Sequence, residues 1–122
     1  MEWIRILDAG ALSSGERQVV TVKDHKILLL QHEGKIYAML NACPHMGVSL
    51  KGGKVTEAGD IVCPFHHSVF DLGTGAVKAW APWPPVLGKL LGAVRPEHPL
   101  HVYPTKVESG GIWVGLGSED AV

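Results

Sequence analysis

Four residues in this chain have the types and spacing for metal chemistry: Cys43, His45, Cys63 and His66. They fall in two short loops, Cys43-Pro44-His45 and Cys63-Pro64-Phe65-His66. The pattern is C-x-H, then 17 residues, then C-x-x-H. Cys43 and Cys63 are the 2 cysteines of the chain. Two thiolates and two imidazoles suit zinc, a mononuclear iron, or an iron–sulfur cluster with mixed ligands. A disulfide or two inert buried thiols would be the plainer fate of two cysteines. The histidine placed beside each one argues against both.

Zinc is the strongest competitor. Structural zinc sites with two Cys and two His usually gather like ligands, Cys with Cys and then His with His. Here each loop offers one of each kind, and Cys43 and His45 are only two positions apart. Such close ligands crowd one tetrahedral ion and are more natural if they reach two different metals. A binuclear cluster accommodates them better, and zinc remains the runner-up.

Whatever is bound, the two loops need a scaffold. The first forty residues read as a β meander. Trp3–Leu7 is a candidate strand, Gly10–Gly15 is turn-rich, and Gln18–Val22 is β-branched and stops at Lys23-Asp24. Lys26–His32 is a second apolar run that Glu33-Gly34 turns into Lys35–Asn41. Residues 42–80 are dense in glycine, with short strands expected at Asp60–Val62 and Val69–Asp71 and a turn at Gly73-Thr74-Gly75. Ala81–Pro99 is bracketed by prolines, which resist both helix and central strand. Within it, Val86–Val94 has near-helical apolar spacing. Leu100–Val107 and Ile112–Leu116 close the chain as two expected strands joined at Ser109-Gly110-Gly111.

The chain has 122 residues, a length that suits one domain with a real core. Hydrophobic residues are 46% and charged residues 19%, an ordinary globular balance. The net charge of −1 does not suggest nucleic acid or an anionic membrane as partner. Neither a signal peptide nor a membrane anchor is visible in the sequence, so the expectation is a soluble, cytoplasmic protein.

At the two Cys/His loops the sequence resembles the Rieske-type 2Fe-2S ferredoxins, in their soluble, lower-potential branch. The resemblance extends over most of the chain. It implies an all-β fold: an antiparallel sandwich or barrel with a smaller, loop-rich cluster-binding subdomain. The whole of 1–122 would be a single Rieske domain, with the subdomain at about 42–85 inserted in the β base. One 2Fe-2S cluster is implied, with Cys43 and Cys63 on one iron and His45 and His66 on the other. Pro82 matches the proline of the loop that covers the cluster, with Pro84 as the fallback.

Departures from the family's high-potential branch are informative. Those proteins carry a disulfide between the cluster loops, and the matching positions here are Val48 and Phe65. They also have a serine and a tyrosine after the last ligand, both donating hydrogen bonds. Ser68 matches the serine, but Phe70 stands in place of the tyrosine and has no hydroxyl. Fewer donors to sulfur imply a lower potential. His67 reads as an exposed loop residue, with a partner contact as its functional alternative.

The resemblance implies one-electron transfer from a reductase to a terminal oxygenase or similar enzyme. Docking would be transient and centred near His45 and His66. Two rival readings are a small Rieske subunit of a larger reductase, such as assimilatory nitrite reductase, and a zinc-stabilised binding module. The length leaves no room for a catalytic mononuclear iron domain, so no independent catalytic activity is expected.

Overall fold

The computed structural model describes residues 2–13, 15–44, 48–64, 67–79 and 99–117. The expected helical segment at Val86–Val94 and the residues Trp80, Pro82, Trp83 and Pro84 lie outside them. So do His45, Met46, Phe65, His66 and His98. The described residues form eleven strands and one short 3₁₀ turn, Ala9–Ala11. All strand pairing among them is antiparallel. The fold is all-β and is consistent with the Rieske architecture.

The chain divides into two compact units, Met1–Leu40 with Val102–Val122, and Asn41–His101. The first unit holds two sheets. In one, β1 (Glu2–Asp8), β11 (Gly111–Leu116) and β10 (Thr105–Glu108) lie in that order. In the other the order is β2 (Arg17–Val22), β3 (His25–His32), β4 (Lys35–Leu40) and β9 (Val102–Tyr103). Ile27, Leu29, Ala38 and Tyr103 from the second sheet meet Ile112, Val114 and Leu116 from the first in one buried core. Leu12 closes it from the loop before β2. Burying each such side chain stabilises the fold by about 1.5–3 kcal/mol relative to leaving it exposed. The Thr105 hydroxyl donates to the Ile36 carbonyl at 2.9 Å and ties β10 to β4.

Three tight turns set the register of this unit. Lys23 and Asp24 have φ of 46° and 70°, Glu33 and Gly34 of 50° and 79°, and Ser109 and Gly110 of 52° and 73°. Two successive residues with positive φ match the twist of paired strands, which is why such turns close hairpins. Each joins strands whose residues pair without slippage, from Val22↔His25 to Arg17↔Leu30 and from His32↔Lys35 to Ile27↔Leu40.

One expected strand is two. Leu100–Val107 is broken at Pro104: β9 pairs with β4, whereas β10 pairs with β11. Proline has no N–H for a ladder, so the chain changes sheets there. The Pro104 carbonyl still accepts from the Gly115 N–H at 2.9 Å. Leu100 lies before β9, its N–H donated to the Gly75 carbonyl at 2.8 Å.

The second unit is built on a four-stranded sheet in chain order: β5 (Lys54–Val55), β6 (Asp60–Val62), β7 (Val69–Asp71) and β8 (Val77–Ala79). The strands β6 and β7 coincide with the two expected from the sequence. β5 and β8 lack the adjacent large apolar pair, Ile61-Val62 or Val69-Phe70, that marks the other two. Leu50, Ile61, Phe70, Leu72 and Leu100 are buried in this unit. Ile61 and Phe70 face each other across the β6–β7 pair.

Two backbone positions give tests by substitution. A Cβ at Gly53 would overlap the Val62 carbonyl oxygen, which is backbone and cannot swing away. Gly53→Ala is expected to cost about 1–3 kcal/mol, as overpacked sites do. At Gly111 the same Cβ would meet the half-exposed Arg5 side chain, which can move. Gly111→Ala should therefore shift stability by about 0.5 kcal/mol or less. Urea midpoints compare the two. The remaining positive-φ residue outside glycine is His67, at 62°, in the β6–β7 loop. A β-branched residue fits that conformation badly, and His67→Val should be about 1–2 kcal/mol less stable than His67→Gly in the same assay.

Candidate metal centre

Each cysteine sits at the base of a loop closed in the same way. The Cys43 N–H donates to the Val48 carbonyl at 2.8 Å, and the Cys63 N–H donates to the Ser68 carbonyl at 2.8 Å. Both bonds run from a residue to the one five positions on. The chain therefore turns back on itself twice with a cysteine at each entry and a proline immediately after it. Proline suits that second position, because it fixes φ and its missing N–H is not needed there.

Different elements hold the two loops. The first follows β4 directly. Its two ends are bracketed by the Asn41 side chain, whose Oδ1 accepts the Leu50 N–H at 3.0 Å and whose Nδ2 donates to Ser49 Oγ at 3.0 Å. Asn41 is a site residue that motif reading passed over. Its only signal in the sequence is an amide side chain just ahead of the loop, which is common in turns. The second loop is the connection of the β6–β7 hairpin, whose last strand pair is Val62↔Val69. The His67 N–H donates to the Cys63 carbonyl at 3.1 Å, adding a second closure inside the first. That bond and the positive φ go together: left-handed backbone at His67 reverses the chain before Ser68 leads into β7. His67 is exposed, as the sequence suggested.

The cysteines are 1% and 2% exposed. No disulfide joins them. Ser68 is fully buried. Two shielded thiols, one in a loop closed by a buried serine, suit a sulfur-liganded cluster. As thiolates they would be poorly tolerated in such burial without a cation. Among the described residues no group of three or more His, Cys, Asp or Glu side chains forms a metal cage. No described carboxylate or imidazole competes to complete the set, and the remaining candidates from the motif, His45 and His66, lie outside the described residues.

The neighbouring polar groups are ordered. Asp71, at the end of β7, accepts the N–H groups of Gly73 and Thr74, each at 2.9 Å, and so builds the turn at 73–75. The backbone hydrogen bond from Thr74 is the main cause holding the Asp71 carboxyl below its ordinary range. Phe70, the residue standing where a tyrosine would donate, is fully buried.

Comparison with known proteins agrees with this geometry. Residues 2–104 match the family model of the Rieske [2Fe-2S] domain. The ferredoxin component of the alkene monooxygenase system of Xanthobacter autotrophicus (strain ATCC BAA-1158 / Py2) is 30% identical over 116 residues, which are 94% of this chain and 82% of that one. Among solved structures, the ferredoxin of carbazole 1,9a-dioxygenase from Nocardioides aromaticivorans IC177 superposes with a TM-score of 0.71 at 24% identity, over 93% of this chain and 97% of that one. The terminal oxygenase of the same system superposes with a TM-score of 0.73 at 30% identity, over 95% of this chain but only 30% of the oxygenase. With a family match across residues 2–104 and a ferredoxin relative aligned over most of both lengths, this chain belongs to the Rieske [2Fe-2S] domain family.

Proposed function

We propose that this chain is a one-electron carrier that takes an electron from a reductase and delivers it to a terminal oxygenase. The observation that carries this reading is coverage. The chain matches the ferredoxin component of an alkene monooxygenase system over 82% of that protein's length. A Rieske cluster, once bound, supplies the reversible one-electron chemistry. The protein's part is to hold it, set its potential and present it.

Cys43 and Cys63 are the proposed ligands of one iron, and His45 and His66 of the other. The assignment rests on the motif and on the matching closures at the two cysteines. Transient docking of both partners near His45 and His66 follows from it, because histidine edges would be the shortest way out for the electron. Pro82 is proposed as the third wall of the site. Electron-transfer encounters are small and weak, so an apolar surface around the loops would suffice. No helix among the described residues is long and apolar enough to cross a membrane. A cytoplasmic location is proposed from the composition and the partners.

The second reading from ligand types alone, zinc, has a direct test. The purified protein is expected to contain two irons and two acid-labile sulfides per chain, with an EPR signal on reduction. Zinc without sulfide would overturn the proposal.

The potential is expected in the lower part of the Rieske range, which runs from about −150 to +300 mV. Ser68 keeps one hydroxyl donor, while Phe70 supplies none and its burial keeps water from taking the missing place. Donors to sulfur stabilise the more negative, reduced form, so losing one lowers the potential. Ser68→Ala should lower the midpoint by on the order of 60 mV, one tenfold change in a one-electron equilibrium. Redox titration of both proteins checks the value and the direction. A wild-type midpoint near the top of the range would contradict the reading of Phe70.

A further inference from the structure

The β6–β7 hairpin carries Cys63 and Ser68 at one end and two carboxylates at the other. Asp60 and Asp71 are direct cross-strand partners. Like charges placed opposite each other on paired strands repel and loosen the pair. Asp60 makes this worse because it is buried, with a side chain only 10% exposed. Its Oδ1 is shut off from solvent, and among the described residues the ammonium of Lys78 answers its charge, 2.6 Å away. The same ammonium lies 3.7 Å from Asp71 Oδ2. Lys78 is on β8, so one cation ties three neighbouring strands together.

We infer that Lys78 is a positioning residue for the second cluster loop: by bringing a cation to the opposed Asp60 and Asp71 it offsets their repulsion and holds β6 and β7 in the register that places Cys63 and Ser68. The inference rests on the proposed cluster, but its cause is visible in the sheet itself.

Each carboxylate has a second set of contacts that fixes its direction. Asp60 Oδ2 is 3.5 Å from the Thr56 hydroxyl, and Thr56 Oγ1 accepts the Asp60 N–H at 3.2 Å. Asp71 Oδ1 is committed to the turn at 73–75. Neither carboxylate can rotate away from the other without losing these bonds. The cation is thus the one movable partner in the cluster, and its hydrogen bond to Asp60 is the leading cause that raises its own pKa. Only Ile61 and Val62 separate Asp60 from Cys63, and the strand itself has only three residues, Asp60–Val62. A strand this short has few ladder bonds with which to absorb a repulsion at its start. Slippage at Asp60 therefore reaches the bond from the Cys63 N–H to the Ser68 carbonyl.

The test is the rate of iron release from the holoprotein into excess ferrozine, which reads opening of the loop rather than activity. Lys78→Met leaves two opposed carboxylates and is expected to release iron at least about tenfold faster than wild type, since breaking a pair with a buried member strands its charge. Lys78→Arg keeps the cation and should stay near the wild-type rate. The double variant Asp60→Asn with Lys78→Met removes the buried charge along with its partner and should return to within about threefold of wild type. If Lys78→Met cannot be isolated with its cluster, the double variant decides: recovery of holoprotein supports the inference, and failure overturns it. A Lys78→Met rate equal to wild type, or a double variant as labile as the single one, also overturns it. Wild-type protein that holds no iron or sulfide would instead sink the cluster reading. The same variants compared by urea midpoint would then test the clamp alone, with the same order expected.

Discussion

The hydrogen bond from each cysteine N–H to the carbonyl five residues on is the constraint from which the site follows. A thiolate is useful as a ligand only if its sulfur is fixed and shielded, and a loop fixes nothing unless its ends are tied. Here the tie is made by the cysteine's own peptide, at 2.8 Å in both loops. The bond satisfies a buried donor that would otherwise cost about 1–3 kcal/mol, and it places the cysteine at the inner edge of a tight reversal. Repeating the same closure twice gives two equivalent sulfur positions from two unrelated stretches of sheet. Asn41 serves the first loop and the β6–β7 pairing serves the second, so the loops share a shape but not a support.

That difference in support explains how charge is arranged in the second unit. The hairpin behind Cys63 is short, and a short hairpin is sensitive to what sits at its far end. Two carboxylates there would be a defect, yet with Lys78 they become a three-strand brace. The surface pairs of the first unit, Arg5 with Asp8 and Lys106 with Glu108, have no buried member and carry no comparable weight.

Much of the fold was legible because local chemistry agreed with it. Val19, Val20 and Val22 mark β2, and Lys23-Asp24, Glu33-Gly34 and Ser109-Gly110 mark the turns that their positive φ values demand. Pro104 was the informative failure. Its neighbours look like one strand, and only the need of the chain to serve two sheets splits them, which no local pattern reveals. β5 and β8 fail for a different reason, since Lys54-Val55 and Val77-Lys78-Ala79 carry no adjacent pair of large apolar residues such as Ile61-Val62 or Val69-Phe70. At the proposed site, Cys43 and Cys63 stand out in the sequence because cysteine is rare and its spacing to histidine specific, and Ser68 only through the resemblance. Lys78 does not, since a lysine near a glycine-rich turn is ordinary. Its meaning depends on a partner 18 positions earlier that strand pairing brings alongside.

The two residues after the last motif histidine that bear on the potential differ in what burial does for them. Ser68 is wholly buried, so its hydroxyl must donate within the protein, and the loop backbone fixes where it stands. Phe70 is equally buried, two positions further along and inside β7. Had Phe70 been exposed, water could have supplied the donor that phenylalanine lacks, and the substitution would have meant little. Its burial turns a missing hydroxyl into a fixed property of the site. On the proposed ligation such a carrier would be tuned by exclusion: one donor kept, one withheld, and solvent denied the chance to replace it. The lower potential proposed for it would then follow from the packing of β7 as much as from the identity of any ligand.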